Sequence, residues 1–156
     1  MTDLGSVGST AVFAAVYVAL HASHRVADHW VQTSHQACNK DRAGWVGRWN
    51  CLKHVASYTA TNLVALWALV VFLDVDLSGV RVMAGLAVSA STHYFADRRT
   101  PLRWVARVTG AEGYFQLGAK RRDDGRFEYG PGTGQFELDQ AWHVGWLFVS
   151  ALVIAA

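Results

Sequence analysis

The sequence has little proline, little cysteine and little charge. Two prolines in 156 residues leave long stretches free to run as unbroken helix. Two cysteines cannot staple a chain of this length, so a disulfide scaffold is excluded. Charged residues make up 17% of the chain, against roughly 25% in an average soluble domain. A net charge of +2 gives no argument for a nucleic-acid partner. No G-x-S-x-G motif is present, which disfavours a covalent serine hydrolase. The stretch GPGTG from Gly130 to Gly134 is not a phosphate loop, because no Gly-Lys-Ser/Thr follows it. What is abundant is apolar surface. Apolar residues make up 52%, with seven Trp, seven Phe and five Tyr, and that excludes a disordered chain. The length fits one domain.

The mean hydropathy of +0.15 decides little; the placement of charge decides more. No Asp, Glu, Lys or Arg occurs from Leu4 to His24, His54 to Leu73, Val82 to Ala96, or Gln140 to Ala156. A bilayer-spanning helix needs about 20 mostly apolar residues. The third window reaches that range with Val80 and Arg81, the arginine snorkelling to the interface. The fourth gains a turn from Leu138 and Asp139. The pattern predicts an all-α, integral membrane four-helix up-down bundle in one domain, residues 1–156, with helices over 9–31, 53–73, 79–97 and 137–155. A soluble helix would carry charge on its outer face every few residues, and Val55 to Leu73 has none on any face. HASHRVADHW is a poor cleavage site, and no basic segment precedes the first helix, so it reads as a mature helix.

Twelve of the 14 Lys and Arg fall in two loops, one between helices one and two and one spanning 98–136. In an up-down bundle these loops share one side. The positive-inside rule places them in the cytoplasm and both termini outside. Trp45, Trp49 and Trp104 lie beside them as interfacial anchors. Cys38 and Cys51 would then be reduced thiols. Pro101 opens a short helix with interleaved apolar and basic residues, predicted to lie on the membrane surface. RRDDGRFEYGPGTG reads as turns. The eight basic residues of this loop would attract anionic lipid or an anionic substrate.

Against this apolar background the ionisable residues are regularly spaced. Helix one carries His24 and Asp28, helix three His93 and Asp97, helix four Asp139 and His143, and helix two His54. Residues four apart stand one above the other on a helix face. In an up-down bundle all seven meet at one membrane face. His21, Arg25 and Gln32 share the stripe of helix one, Tyr58, Thr61 and Asn62 follow His54, Ser89 precedes His93, and Gln140 and Ser150 flank the last pair. These would orient ligands or meet a substrate head. His29 and His35 fall at headgroup level with no assigned chemistry.

One histidine in a membrane helix is ordinarily a helix contact, and one H-x-x-x-D pair a local ion pair. Three pairs at one depth call for a shared partner, because buried carboxylate is costly in lipid. A divalent cation satisfies imidazole and carboxylate together, with Zn first and Fe or Mn as alternatives. His24, Asp28, His93, Asp97 and His143 are the first-choice ligands, with Asp139 or His54 as general base or additional ligand. Seven groups exceed one tetrahedral ion, so either two metals bind or some groups orient the rest. The reading is a membrane-embedded metal-dependent hydrolase facing the cytoplasm and acting on a lipid or anionic amphiphile. Two alternatives use the same cluster. One is a proton or metal-ion transporter, which with four short helices would need to oligomerise. The other is a non-catalytic protein whose polar cluster locks the bundle while the basic loop docks a partner.

HRVADHWVQT, CLKHVASYT, HYFADRR and DQAWH, in that order, resemble a bacterial family of small membrane proteins, the domain of unknown function 3307 family. The resemblance spans His24 to His143 and rests on His24, Asp28, Gln32, His54, His93, Asp97, Asp139, Gln140 and His143. Lys40 after Asn39 also resembles a family position, while His29 stands where an aromatic residue is expected. The resemblance implies a bacterial inner-membrane location and this residue set, without a reaction. A looser likeness to membrane-bound metal-dependent hydrolases is analogy at the level of His and Asp on helices.

Overall fold

The structure is a computed structural model that describes residues 4–121, 127–128 and 130–156, with side chains from 8–120 and 130–156. Among the described residues the chain is almost entirely helical. Helix α1 covers Leu4–Val26 and passes into a π-helical turn, Ala27–Val31. Then follow α2 (Ser34–Asn39), α3 (Gly44–Leu73), α4 (Gly79–Asp97), α5 (Thr100–Val108), α6 (Glu112–Phe115) and α7 (Gly134–Ala155). Two short strands, β1 (Lys120–Arg121) and β2 (Phe127–Glu128), pair antiparallel within the segment before α7. The turn expected at Asp124 and Gly125, with Arg122 and Arg126, lies outside the described residues.

The long helices form a closed ring: α1 and α4 each pack against both α3 and α7. Neighbours run in opposite directions. Ser23 near the end of α1 bonds Asn62 in α3, and Gly85 near the start of α4 lies against Ile154 near the end of α7. A Cβ at Gly85 would collide with the Ile154 side chain, so the absence of a side chain sets how closely α4 and α7 approach. The apolar core sits at this end of the ring, built from Val16, Leu20, Leu66, Leu86, Leu147, Ala151 and Ile154.

The observed ends depart from the expected ones in several places: α1 is helical from Leu4, before the expected 9, and α7 from Gly134, before the expected 137. Helix α3 begins at Gly44, nine residues before the expected 53. Arg48 and Lys53 lie on it, so charge marks where an apolar span ends and not where the helix ends. The first helix does not stay α-helical to 31, because the π-helical turn widens its last five residues. Beyond it Thr33 caps α2 through a reciprocal capping box with Gln36.

Two helices, α3 and α7, are long and apolar enough to cross a membrane. Only 22% and 28% of their most apolar windows are buried inside the protein. Leu63, Val64, Trp67, Val70, Val71 and Phe72 of α3 face outward. Helix α5 buries Leu102 and Ala106 against Phe115, beside Leu138 and Trp142. That apolar edge is covered by protein, leaving Trp104 and Val108 as its exposed apolar residues.

Candidate metal centre

The end of α1 with its π-helical turn, the first third of α3, the end of α4 and the first half of α7 converge at the other end of the ring. They bring His24, Asp28, His54, His93, Asp97, Asp139 and His143 into one nest. His24, His54, His93, Asp97 and His143 are buried there.

The centre of the nest is a set of four atoms. The Nε2 atoms of His54 and His93 are 3.0 Å apart. Asp28 Oδ1 lies 3.3 Å from His54 Nε2 and 3.6 Å from His93 Nε2. Asp97 Oδ2 lies 3.3 Å from both. A tetrahedral ion with bonds of about 2.0–2.1 Å needs ligand atoms about 3.3–3.4 Å apart. Two triangles of that size therefore share the His54–His93 edge. A single N–H between the imidazoles cannot serve both rings and both carboxylates. Asp28 Oδ1 and Asp97 Oδ2 are indeed buried without a hydrogen-bond partner among the described residues. The donor set, two imidazoles and two carboxylates, fits a divalent ion of the Zn, Fe or Mn type. His54, expected as base or additional ligand, belongs with Asp28 and His93 to one group that could hold a metal ion.

His24 and His143 flank this centre. Their rings lie 5.0 Å apart, and each lies beside His93. Both nitrogens of His24 and the Nε2 of His143 lack a hydrogen-bond partner among the described residues. His24 Nδ1 is 3.6 Å from Asp28 Oδ2, and His143 Nε2 is 3.6 Å from Asp139 Oδ2. Both distances are too long for a hydrogen bond.

Lys40, marked by the resemblance but given no part in the site by the spacing of the ligands, joins it. It follows α2, and its Nζ lies 2.7 Å from Asp97 Oδ1. Burial works against the ammonium, but Asp97 and Asp28 outweigh it and hold its pKa above the ordinary lysine value. The loop that carries it is fixed from behind. Arg98 donates to the main-chain carbonyls of Lys40 and Arg42. Gly47 has no Cβ, and one there would strike the carbonyl of Arg42. Arg99 takes a positive φ of 55°, turning the chain sharply between α4 and α5. Its guanidinium pairs with Asp41 at 3.0 Å.

A cleft of about 250 Å³ opens from the nest, with Asp28, Asp97 and Asp139 on its floor and Lys40 and Arg99 on its wall. Gln32, Gln135 and Gln140 add amides to the lining. Gln135, which the sequence did not mark, is buried, and its Oε1 has no hydrogen-bond partner among the described residues. Gln140 accepts from Arg25 at 2.7 Å, tying α7 to α1 at the rim.

The remaining expected residues divide. Tyr58 stacks on the His93 ring at 3.9 Å, and its hydroxyl bonds Ser89 at 2.6 Å, so it fixes that imidazole. Asn62 accepts from Ser23 at 2.6 Å, one turn deeper. His21 contacts Tyr17, away from the four-atom centre. Thr61 and Ser150 bond carbonyls of their own helices and do not join the site. His29 bonds the Arg25 carbonyl and is exposed, as is His35. Cys38 and Cys51 are free thiols. No known protein family, curated protein or solved structure matches this chain.

Proposed function

We propose that this chain is a membrane-embedded, metal-dependent hydrolase that acts on an anionic amphiphile at the cytoplasmic membrane face. One observation carries the reading: Asp28 Oδ1 and Asp97 Oδ2 each lie 3.3–3.6 Å from the paired Nε2 atoms of His54 and His93, and the two carboxylates also line an open cleft shared with Lys40 and Arg99. A site that only locked helices would not need a cleft above it.

The membrane part of the proposal rests on the exposed apolar faces of α3 and α7 and on the two basic loops. Trp30, Trp45, Trp49 and Trp104 are all exposed, at the site end of the ring, as an interfacial aromatic belt would be. The four-span topology, with α1 and α4 as the other two spans and both termini outside, is part of this proposal. So is membership of the domain of unknown function 3307 family, which the same residues suggest.

A bound divalent ion supplies Lewis acidity at the reacting group and makes water more acidic. The chain's own groups do the rest. Lys40 and Arg99 draw the anionic head into the cleft. Asp139, partly exposed on the cleft floor, is placed to take a proton from the attacking water. The water oxygen bonds to phosphorus or acyl carbon, the ester oxygen leaves, and the proton on Asp139 passes to it. Tyr58 holds His93 in register during this step.

The test is elemental mass spectrometry of the detergent-purified protein, wild type beside a His93→Ala, Asp97→Ala variant. Tightly held metal, lost in the variant, is the expected result. A folded, metal-free wild type after reconstitution would sink the proposal. Unfolding on chelation, with no hydrolysis of lipid phosphoesters, would favour the structural lock instead.

A further inference from the structure

The four-atom centre leaves donors over. Once Asp28, His54 and His93 are assigned to one ion, His24, Asp139, His143 and Asp97 remain beside it, Asp97 against the same two imidazoles. His24 and His143 are buried, and both nitrogens of His24 and the Nε2 of His143 have no hydrogen-bond partner among the described residues. An imidazole nitrogen buried without a partner is destabilising, because its desolvation is not offset. Two of them side by side are not the by-product of a one-ion site. Asp97, Asp139 and His143 each offer an atom within 4.8 Å of the others, and so do His24, His93 and His143.

We propose that the nest holds two divalent cations, the second bound by His143 and one oxygen of Asp139, whose other oxygen keeps the role of base, with Asp97 shared between the positions and His24 beside them. This rests on the metal-dependent reading above and deepens it. Paired metals are the arrangement that clamps the attacking and leaving oxygens of a phosphoryl group. Charge points the same way. Three carboxylates set against Lys40 and two divalent ions leave an excess of two positive charges. That is the complement of a phosphate monoester, which carries about two negative charges near neutral pH. The substrate class is therefore a phosphate monoester, small enough in its head to enter a cleft of about 250 Å³.

The experiment counts metal on the full chain in detergent after reconstitution with Mn, by elemental mass spectrometry and by electron paramagnetic resonance. Two ions per chain with a spin-coupled signal are expected for wild type. Asp139→Asn and, independently, His143→Gln should each retain one ion with an uncoupled signal. Asp139 lies on the cleft floor, so its amide variant does not disturb packing. Inorganic phosphate, followed by calorimetry, should bind at least tenfold more weakly to Asp139→Asn. One ion in wild type, unchanged in both variants, would overturn this inference and leave the hydrolase proposal standing. No ion in wild type would overturn both. Loss of both ions from a folded Asp139→Asn would show one indivisible cluster and overturn the assignment of two positions. Equal phosphate affinity would overturn the substrate class.

Discussion

The two ends of the helical ring are built from the same four helices by opposite rules. At one end Val16, Leu20, Leu66, Leu86, Leu147, Ala151 and Ile154 fill the interior. At the other, Ser23, His24, His54, Asn62, Ser89, His93, Asp97 and His143 are equally buried. The apolar end is complete as it stands. The polar end is not, since several of its buried atoms meet no hydrogen-bond partner among the described residues. Close packing at one end gives the rigidity with which the other holds side chains in an arrangement that polar groups would not adopt unaided.

The contrast can be broken most severely at Asp97. In metal-free protein, Asp97→Ala removes the partner of the buried Lys40 ammonium and should cost about 3–5 kcal/mol, as for other broken buried pairs. Thermal unfolding by circular dichroism measures it, and adding Lys40→Met should recover most of the loss. Next comes the outer surface of α3, where Val64 is exposed. Val64→Asp should cost about 2.5–3.5 kcal/mol in a bilayer and shift the protein out of the membrane fraction. A water-facing Val64 would tolerate the change within about 0.5 kcal/mol. At the apolar end, Leu66→Ala should destabilise by about 2 kcal/mol through the cavity it leaves. The smallest effect is expected where the two ends meet. Ser23→Ala removes the hydroxyl that bonds Asn62 and should cost about 0.6 kcal/mol, typical of a hydrogen bond between membrane helices.

The four long helices were readable because charge is excluded from most of their length. Six of the seven ionisable groups were readable because each pair sits four residues apart near a helix end, and His54 because it stands at the start of a window without charge. Both signals are periodic and local. What escaped has no period. Lys40 reaches Asp97 only because Arg98, 58 residues away, holds the intervening loop by its carbonyls. Gln135 sits in the first turn of α7, and nothing in its neighbourhood distinguishes it from a surface glutamine. The π-helical turn at Ala27–Val31 keeps the composition of the helix it interrupts. Thr61 and Ser150 were misleading for the converse reason: they share a helix face with the site but bond their own backbone.

Arg98 grips main-chain oxygens and no side chain of the loop it holds. The backbone around position 40 is thereby secured whatever residue stands there. The backbone is held by one cation, and the carboxylate beneath it by another. The loop's course is therefore set by Arg98, and the charge that Lys40 presents to Asp97 is set by the side chain alone.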